Sequence, residues 1–96
     1  MTQNNNENNR EFSQTEIHLR RLTIDEATYR LDSFLNDAFM AGQEQLKVIH
    51  GKGTGTLKEA VHQYLDAHSL VLSHRMGLYD EGGDGVTIVQ LAPRKA

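Results

Sequence analysis

The chain has 96 residues, no cysteine, and a net charge of −3 when histidine is counted as neutral. A chain of this length forms one domain with a modest core, because a small domain buries only about 60 to 65% of its unfolded surface. The absence of cysteine excludes disulfides and thiolate zinc sites and fits a reducing compartment. The negative charge repels phosphate backbones, so any contact with nucleic acid must come from local lysines and arginines.

The two ends of the chain differ in composition from its middle. Residues 1–15 are rich in asparagine and contain Phe12 as their one aromatic residue, which predicts a disordered polar tail. We expect a domain over residues 16–92 and a short basic tail over residues 93–96. The sequence contains no apolar run of the ~20 residues that span a bilayer and does not begin like a signal peptide, which predicts a cytoplasmic protein without membrane contact.

The first predicted elements are a strand and a helix. Apolar and polar residues alternate over residues 16–20, as in a short, half-buried strand. Thr23 and Glu26 have the spacing of a capping box and predict the start of a helix. Apolar residues then recur at steps of three and four as far as Phe39, and Gly42 is a natural stop.

The second half of the chain contains another helix and three more strands. Residues 46–49 predict a strand, and a helix follows from Gly55 or Thr56 to about His68. Residues 70–75 and 86–91 predict two further strands, separated by a glycine-rich loop over residues 77–85.

The order of these elements is βαβαββ and predicts an α/β fold. Both helices are long enough for right-handed crossovers, so the first three strands should run parallel to one another. The last two strands are joined by a loop alone, which predicts that the last strand is antiparallel. We therefore expect a two-layer sandwich with a four-stranded mixed sheet.

The sequence HGKGTG, from His50 to Gly55, lies between a predicted strand and a predicted helix. Ligands of α/β folds usually bind at such junctions. Glycines at 51, 53 and 55 permit positive φ angles and close approach of a ligand, and the N–H groups at a helix start attract anions. Lys52 adds a positive charge and Thr54 a hydroxyl, so the pattern indicates a phosphate site.

Two familiar nucleotide motifs do not match this stretch. A Walker loop needs a lysine followed by serine or threonine, whereas Lys52 precedes Gly53; a dinucleotide fingerprint needs glycine at position 56, which is Thr56. An alternative is that the three glycines merely allow a tight turn from strand to helix.

Three stretches of the sequence resemble the Smr domain, the small MutS-related domain at the end of the bacterial second MutS paralogue and in stand-alone proteins. They read LTIDEATYRLDSFLNDAFMAG, LKVIHGKGTGTLKEAVHQYL and GGDGVTIVQL, and the resemblance covers about residues 16–92. It implies a fold similar to the carboxyl-terminal domain of bacterial initiation factor three. It also implies a nucleic-acid-nicking endonuclease, although some members bind without evident cutting.

The resemblance also implies functional residues. The HGKGTG block carries over without a departure and assigns phosphate binding to Gly51, Lys52, Gly53, Thr54 and Gly55. The first strand of the family usually reads Leu-Asp-Leu, then Arg or His, then Gly.

Here that strand reads Ile-His-Leu-Arg-Arg over residues 17–21, with His18 at the position of the family carboxylate and Arg21 at that of the glycine. Candidate catalytic residues are His50, Arg20 and His18, and both arginines are candidate phosphate ligands. His18 has a different charge from a carboxylate, so binding should survive this substitution better than cutting.

Other polar residues are assigned structural roles. His62, His68 and His74 are dispersed along the sequence, which favours surface or capping positions. Asp80, Glu81 and Asp84 are typical turn residues whose spacing matches no calcium loop. No metal-ligand set is identifiable, although a divalent metal such as Mg or Mn remains open as a cofactor.

The sequence therefore predicts a protein that binds the backbone of DNA or RNA and nicks it by phosphodiester hydrolysis, in DNA repair, recombination or RNA processing. The alternatives are a nucleic-acid-binding module without catalysis and a protein-interaction module whose glycines form only a turn. The sequence leaves open the choice between DNA and RNA and the oligomeric state.

Overall fold

The computed structural model describes residues 12–95. The strands are β1 (Glu16–His18), β2 (Gln45–Ile49), β3 (Val71–Met76) and β4 (Val86–Leu91), and the helices are α1 (Ile24–Met40) and α2 (Thr56–Ala67). The predicted order of elements is confirmed. No helix within residues 12–95 is long and apolar enough to cross a membrane.

The helix α1 begins at the predicted capping box. Thr23 Oγ1 accepts a hydrogen bond from the N–H of Glu26 at 3.1 Å, and the Thr23 N–H donates to the Glu26 carboxylate at 3.0 Å. These two bonds satisfy two of the backbone N–H groups that a helix start leaves unpaired. The helix therefore has a defined start close to the end of β1.

The four strands form one sheet in the order β1-β2-β4-β3. β1 pairs with β2 in parallel, while β4 pairs antiparallel with both β2 and β3. The first three strands thus share one direction and the last strand is antiparallel, as predicted. Because β2 and β4 pair antiparallel, the carboxyl end of β2 lies next to the start of β4, with Ile49 opposite Val86.

The core lies between the sheet and the two helices. One face of α1 is buried and packs on the sheet, and α2 contributes Val61 and Leu65. Leu46 and Val48 of β2 are in register with Val89 and Thr87 of β4 and are buried with them. Thr87 is therefore a polar residue at a fully buried position of β4.

The chain before β1 contributes to the fold from residue 12 onward. Residues 1–11, where most of the expected tail lies, are outside the described residues. Phe12, which we expected in that tail, packs against Phe34 with the ring centroids 6.2 Å apart, and the Thr15 carbonyl accepts from the Lys47 N–H at 2.8 Å. Residues 12–15 therefore contact the fold, because the Phe12 ring lies close enough to β1 and α1 to cover part of the core.

The segment between β3 and β4 contains two short 3-10 turns, Tyr79–Glu81 and Gly83–Gly85, where the sequence predicted only a loop. Glu81 holds the segment together. Its carboxylate accepts from both terminal nitrogens of Arg75, at 2.8 and 3.1 Å, and from the N–H of Leu78 at 2.8 Å. These contacts hold the pKa of Glu81 down at about 2.

Candidate functional site

The HGKGTG segment, residues 50–55, forms a loop from the end of β2 to the start of α2, and we call it the glycine loop. The Gly85 carbonyl, just before β4, accepts hydrogen bonds from the N–H groups of His50 and Gly51, at 3.1 and 2.9 Å. The central position of β4 therefore fixes the first part of the loop.

The rest of the glycine loop presents polar groups to the surroundings. The N–H groups of Lys52, Gly53 and Thr54 have no acceptor within residues 12–95. α2 begins after Gly55, which has a φ of 90° and provides no side-chain cap. Unpaired N–H groups at the start of a helix favour an anion.

One pocket lies on the side of the glycine loop that faces the helix-free surface of the sheet, and we call it the sheet-side pocket. Its volume is about 660 Å³, and Arg20, Lys47 and Lys52 contribute positive charge to its lining. Asp80 and Glu81 also line it. Lys47 was not predicted as a site residue. The sequence did contain a signal for it. Lys47 alternates with the buried Leu46 and Val48, so its side chain projects to the face of the sheet opposite the core.

A second pocket lies on the other side of the loop, between the starts of the two helices, and we call it the helix-side pocket. Its volume is about 350 Å³, and its lining includes Arg21, Lys58, His50 and the remainder of the glycine loop. Gly51, Lys52 and Gly53 line both pockets. Positive side chains thus lie on both sides of the loop.

The two arginines after β1 are directed to different pockets. Arg20 lines the sheet-side pocket and Arg21 the helix-side pocket. Arg21 has a φ of 69°, a left-handed conformation that an L residue adopts at some cost. The glycine that the family pattern has at this position would adopt it freely. The structure therefore gives a backbone reason for the family glycine.

His18 lies apart from these pockets. It is on the edge strand β1, its side chain is 65% exposed, and its Nε2 atom is 3.5 Å from a carboxylate oxygen of Glu16. Neither pocket includes His18 in its lining. The structure thus brings Arg20, Lys52 and the loop together but does not place His18 against His50.

His50 is buried beneath the glycine loop, with only 4% of its surface exposed. Its Nδ1 atom is 2.9 Å from the Gly51 carbonyl oxygen, and its Nε2 atom is 2.9 Å from Thr87 Oγ1. Burial lowers the pKa of His50 below its ordinary value, because the charged imidazolium loses its hydration. His50 is therefore neutral at pH 7 and has both ring nitrogens in hydrogen bonds.

Two of the three histidines expected at dispersed positions join His50. His62 Nε2 lies 2.9 Å from the same Thr87 Oγ1, and the rings of His62 and His74 have centroids 4.9 Å apart. They come together because α2 packs on the sheet beside β3, and both rings stay partly exposed. A usable signal was Thr87 itself, since a polar residue at an inward strand position needs buried partners.

His68 does occupy a capping position, because its backbone N–H donates to the Leu65 carbonyl at the end of α2 at 3.2 Å. Asp84 lies near Lys52, with the Lys52 Nζ atom 3.8 Å from its carboxylate. Within residues 12–95, no three or more histidine, aspartate and glutamate side chains are grouped so that they could hold a metal ion.

Comparison with known proteins identifies the family. The family model described as "Smr domain" matches residues 17–92, so the chain belongs to the Smr domain family. It is 46% identical over 78 residues to a protein named Endonuclease MutS2 from Clostridium beijerinckii, and the match covers 81% of this chain and 10% of that protein. The chain thus spans about a tenth of the length of the curated relatives it matches.

Solved structures give the same result. The Smr domain of Thermus thermophilus MutS2 is 40% identical and superimposes with a TM-score of 0.80, covering 82% of this chain and 99% of that one. YdaL, a stand-alone small MutS-related protein from Escherichia coli, is 27% identical with a TM-score of 0.79 over 86% of this chain and 66% of its own. The fold and the recognised family are therefore confirmed.

Proposed function

We propose that this chain binds the phosphate backbone of nucleic acid at the glycine loop and nicks it by hydrolysis of a phosphodiester bond. The observation that carries the proposal is the position of Lys52 on an exposed loop between two pockets that each contain an arginine. The relatives are named Endonuclease MutS2, which supports the nuclease class. Because this chain matches only about a tenth of their length, endonuclease activity of this chain by itself is part of what we propose.

In this proposal a phosphate lies over residues 52–54, whose N–H groups have no acceptor in the described part of the chain. The Lys52 side chain is 74% exposed and contacts this phosphate from the solvent side. Arg20 contacts the same phosphate or an adjacent one from the sheet-side pocket, and Arg21 does so from the helix-side pocket. Arginine suits this role because its planar guanidinium can donate two hydrogen bonds to one phosphate. The negative net charge does not prevent local binding. Salt screens the repulsion from distant charges, whereas the attraction between a phosphate and a side chain in contact with it is screened much less.

Hydrolysis requires a water molecule to attack phosphorus while the bond to the leaving sugar oxygen breaks and that oxygen takes a proton. Lys52 would stabilise the charge that develops on the phosphoryl oxygens. His50 is the candidate group for moving the proton that the attacking water loses to the leaving oxygen, so that its ring begins and ends the step neutral.

The test is a cleavage assay on supercoiled plasmid and on structured RNA, with magnesium or manganese and with a chelator in parallel. The expected result is nicked product that is lost in the His50→Ala variant, with melting temperatures recorded to confirm that the variant is folded. A parent protein that leaves every substrate uncut in all arms would refute the nicking proposal. Activity is proposed for the cytoplasm, in line with the cysteine-free composition.

A second candidate function is binding without cleavage. It is favoured by the burial of His50, whose two ring nitrogens already have partners, and by His18 at the position of the family carboxylate. It predicts salt-sensitive binding to DNA or RNA with no product.

The His18→Asp variant separates the two candidates. His18 is exposed on β1, so the substitution should leave the fold intact. A gain of nicking in this variant would support a domain that lost catalysis, whereas a loss of nicking would support a site that uses His18. Glu16→Gln on the same strand is a matched control, because it alters the nearest carboxylate without changing position 18.

A further inference from the structure

The hydrogen bonds around His50 determine which of its ring nitrogens carries the proton. A backbone carbonyl can only accept, so the 2.9 Å contact to the Gly51 oxygen requires that His50 Nδ1 donates. In a neutral imidazole the other nitrogen has no hydrogen and must accept. His50 Nε2 therefore accepts from the Thr87 hydroxyl, 2.9 Å away.

The hydroxyl of Thr87 then determines the state of the next histidine. Thr87 has one proton, which is donated to His50, so it can only accept from His62. The 2.9 Å contact between His62 Nε2 and Thr87 Oγ1 thus requires the Nε2–H form of His62. One directed series of hydrogen bonds leads from His62 through Thr87 and His50 to the carbonyl of the glycine loop.

The position of Thr87 makes this series specific. Thr87 is fully buried on β4, and its neighbours Val86, Ile88 and Val89 are apolar and buried. Valine would have nearly the same shape there without a hydroxyl to satisfy. A buried hydroxyl costs free energy unless it is hydrogen-bonded, and here both of its partners are histidines.

The outer end of the series reaches the protein surface. His62 lines a third pocket of about 340 Å³ together with residues of the loop and of the first turn of α2, Thr54, Gly55, Thr56, Lys58 and Glu59. On the other side its ring contacts His74, whose Nε2 atom is 2.6 Å from the Asp66 carboxylate. The inner end, His50, is covered by the loop that it holds.

We propose that Thr87 and His62 are positioning residues that hold His50 with its Nδ1–H on the Gly51 carbonyl and thereby set the conformation of the glycine loop. The residue Gly51 is then held at both its carbonyl and its N–H, since the N–H donates to the Gly85 carbonyl at 2.9 Å. The next residue, Lys52, and the free N–H groups of residues 52–54 depend on that orientation. The consequence for ligand binding rests on the proposed function, whereas the organisation of the loop does not.

The direct test uses nuclear magnetic resonance of the imidazole nitrogens in the intact chain at a pH above 7. We expect the Nδ1–H tautomer for His50 and the Nε2–H tautomer for His62. His50 in the Nε2–H form, or as a fast mixture of both forms, would overturn the proposal. This measurement needs no ligand and no activity.

Two substitutions of one residue supply the causal test. Thr87→Val removes the hydroxyl at nearly constant shape, and Thr87→Ser keeps it. We expect Thr87→Val to mix the His50 tautomers and to shift the amide resonances of Gly51 and Lys52, and Thr87→Ser to restore the parent pattern. His68→Gln is the control, because His68 bonds to Leu70 and Asp32 outside this series. If both Thr87 variants show parent spectra, Thr87 is not a positioning residue.

Binding to a fluorescent single-stranded DNA or RNA oligonucleotide connects the series to function. We expect Thr87→Val to weaken binding about two- to tenfold, the equivalent of one lost hydrogen bond, with Thr87→Ser close to the parent. If the parent itself binds no oligonucleotide, the proposed function fails while the spectra still decide the positioning role. If the parent binds and Thr87→Val binds equally well despite altered spectra, the functional part of this inference is refuted.

Discussion

The side chain of Arg20 lies directly against Gly51. A Cβ atom at residue 51 would be 3.2 Å from Arg20 Cγ and 3.3 Å from its Nε atom, and Gly51 has a φ of 81°. The first glycine of the loop therefore provides both a left-handed backbone and the space that Arg20 occupies. The arginine after β1 and the loop after β2 form one unit.

We expect Gly51→Ala to lower both stability and affinity for nucleic acid. An L residue at this φ costs about 1 to 2 kcal/mol, and the added methyl group would displace Arg20 from the sheet-side pocket. Urea denaturation measures the first effect and oligonucleotide binding the second.

Gly42→Ala is the matched control for this prediction. Gly42 has a φ of 80° but open space around its Cα, so an alanine there carries the backbone cost without the crowding. Affinity should be retained in Gly42→Ala and reduced in Gly51→Ala. Equal affinity in the two variants would show that the contact with Arg20 has no role in binding.

Removal of the loop charge should reduce affinity for DNA and RNA in a salt-dependent way. Lys52→Ala and Arg20→Ala each remove a positive charge from the sheet-side pocket. If each side chain contacts one phosphate, the slope of log affinity against log salt should decrease by about 0.7 to 0.9 per variant. The measurement is a titration at several salt concentrations.

Arg30→Ala controls for the change in net charge, because Arg30 is exposed on α1 and lines neither pocket. It should leave the slope unchanged. A parallel decrease in all three variants would indicate that only net charge matters, which would contradict a site at the glycine loop.

Stability should decrease as the pH falls from about 7.5 to about 5. Burial lowers the pKa of His50 and of His62 in the folded chain, and each returns to about 6.5 on unfolding. As the pH falls, the unfolded state therefore binds protons at a higher pH than the folded state does. The free energy of unfolding decreases from about pH 6.5 downward, towards the folded pKa values. Glu81 and Asp32 have lowered pKa values, so their contributions are lost only at more acidic pH.

Urea denaturation at several pH values measures this effect. The His62→Gln variant should show a smaller decrease than the parent, because it removes one of the two groups that take up protons on unfolding. A free energy of unfolding that is constant over this range would contradict the neutral, buried state of His50.

The capping box of α1 should contribute about 1 kcal/mol to stability. Thr23→Ala removes the acceptor for the Glu26 N–H and should lower the free energy of unfolding by that amount. Thr28→Ala is the comparison, since the Thr28 hydroxyl donates to the Ile24 and Asp25 carbonyls inside the helix and alanine has the higher helix propensity. Thermal unfolding measures the loss of stability in each variant. A larger loss in Thr28→Ala than in Thr23→Ala would contradict the capping role of Thr23.

Local patterns predicted the elements of this fold well. The Thr23 and Glu26 spacing placed the start of α1 at the correct residue, and the apolar stripe gave its buried face. The run over residues 86–91 gave the bounds of β4. These features depend on interactions between residues close in sequence, which is why the sequence alone suffices for them.

The composition of the site was only partly predictable. The glycine loop, Arg20 and Arg21 were predicted, and they do lie together, although the two arginines line different pockets. Lys47 was missed because its alternation with Leu46 and Val48 shows that it projects away from the core but not which residues surround it there. The roles of His50, Lys52 and His18 stay predictions that the experiments above address.

By itself the sequence determined the element order, the capped start of α1 and the loop of alternating glycines, because short-range hydrogen bonding and side-chain periodicity encode them. Only the tertiary structure decided that β4 lies between β2 and β3. That placement brings Thr87 between His50 and His62, residues separated by many positions in the chain. Contacts of this kind arise from the packing of a helix on a sheet and have no local pattern in the sequence.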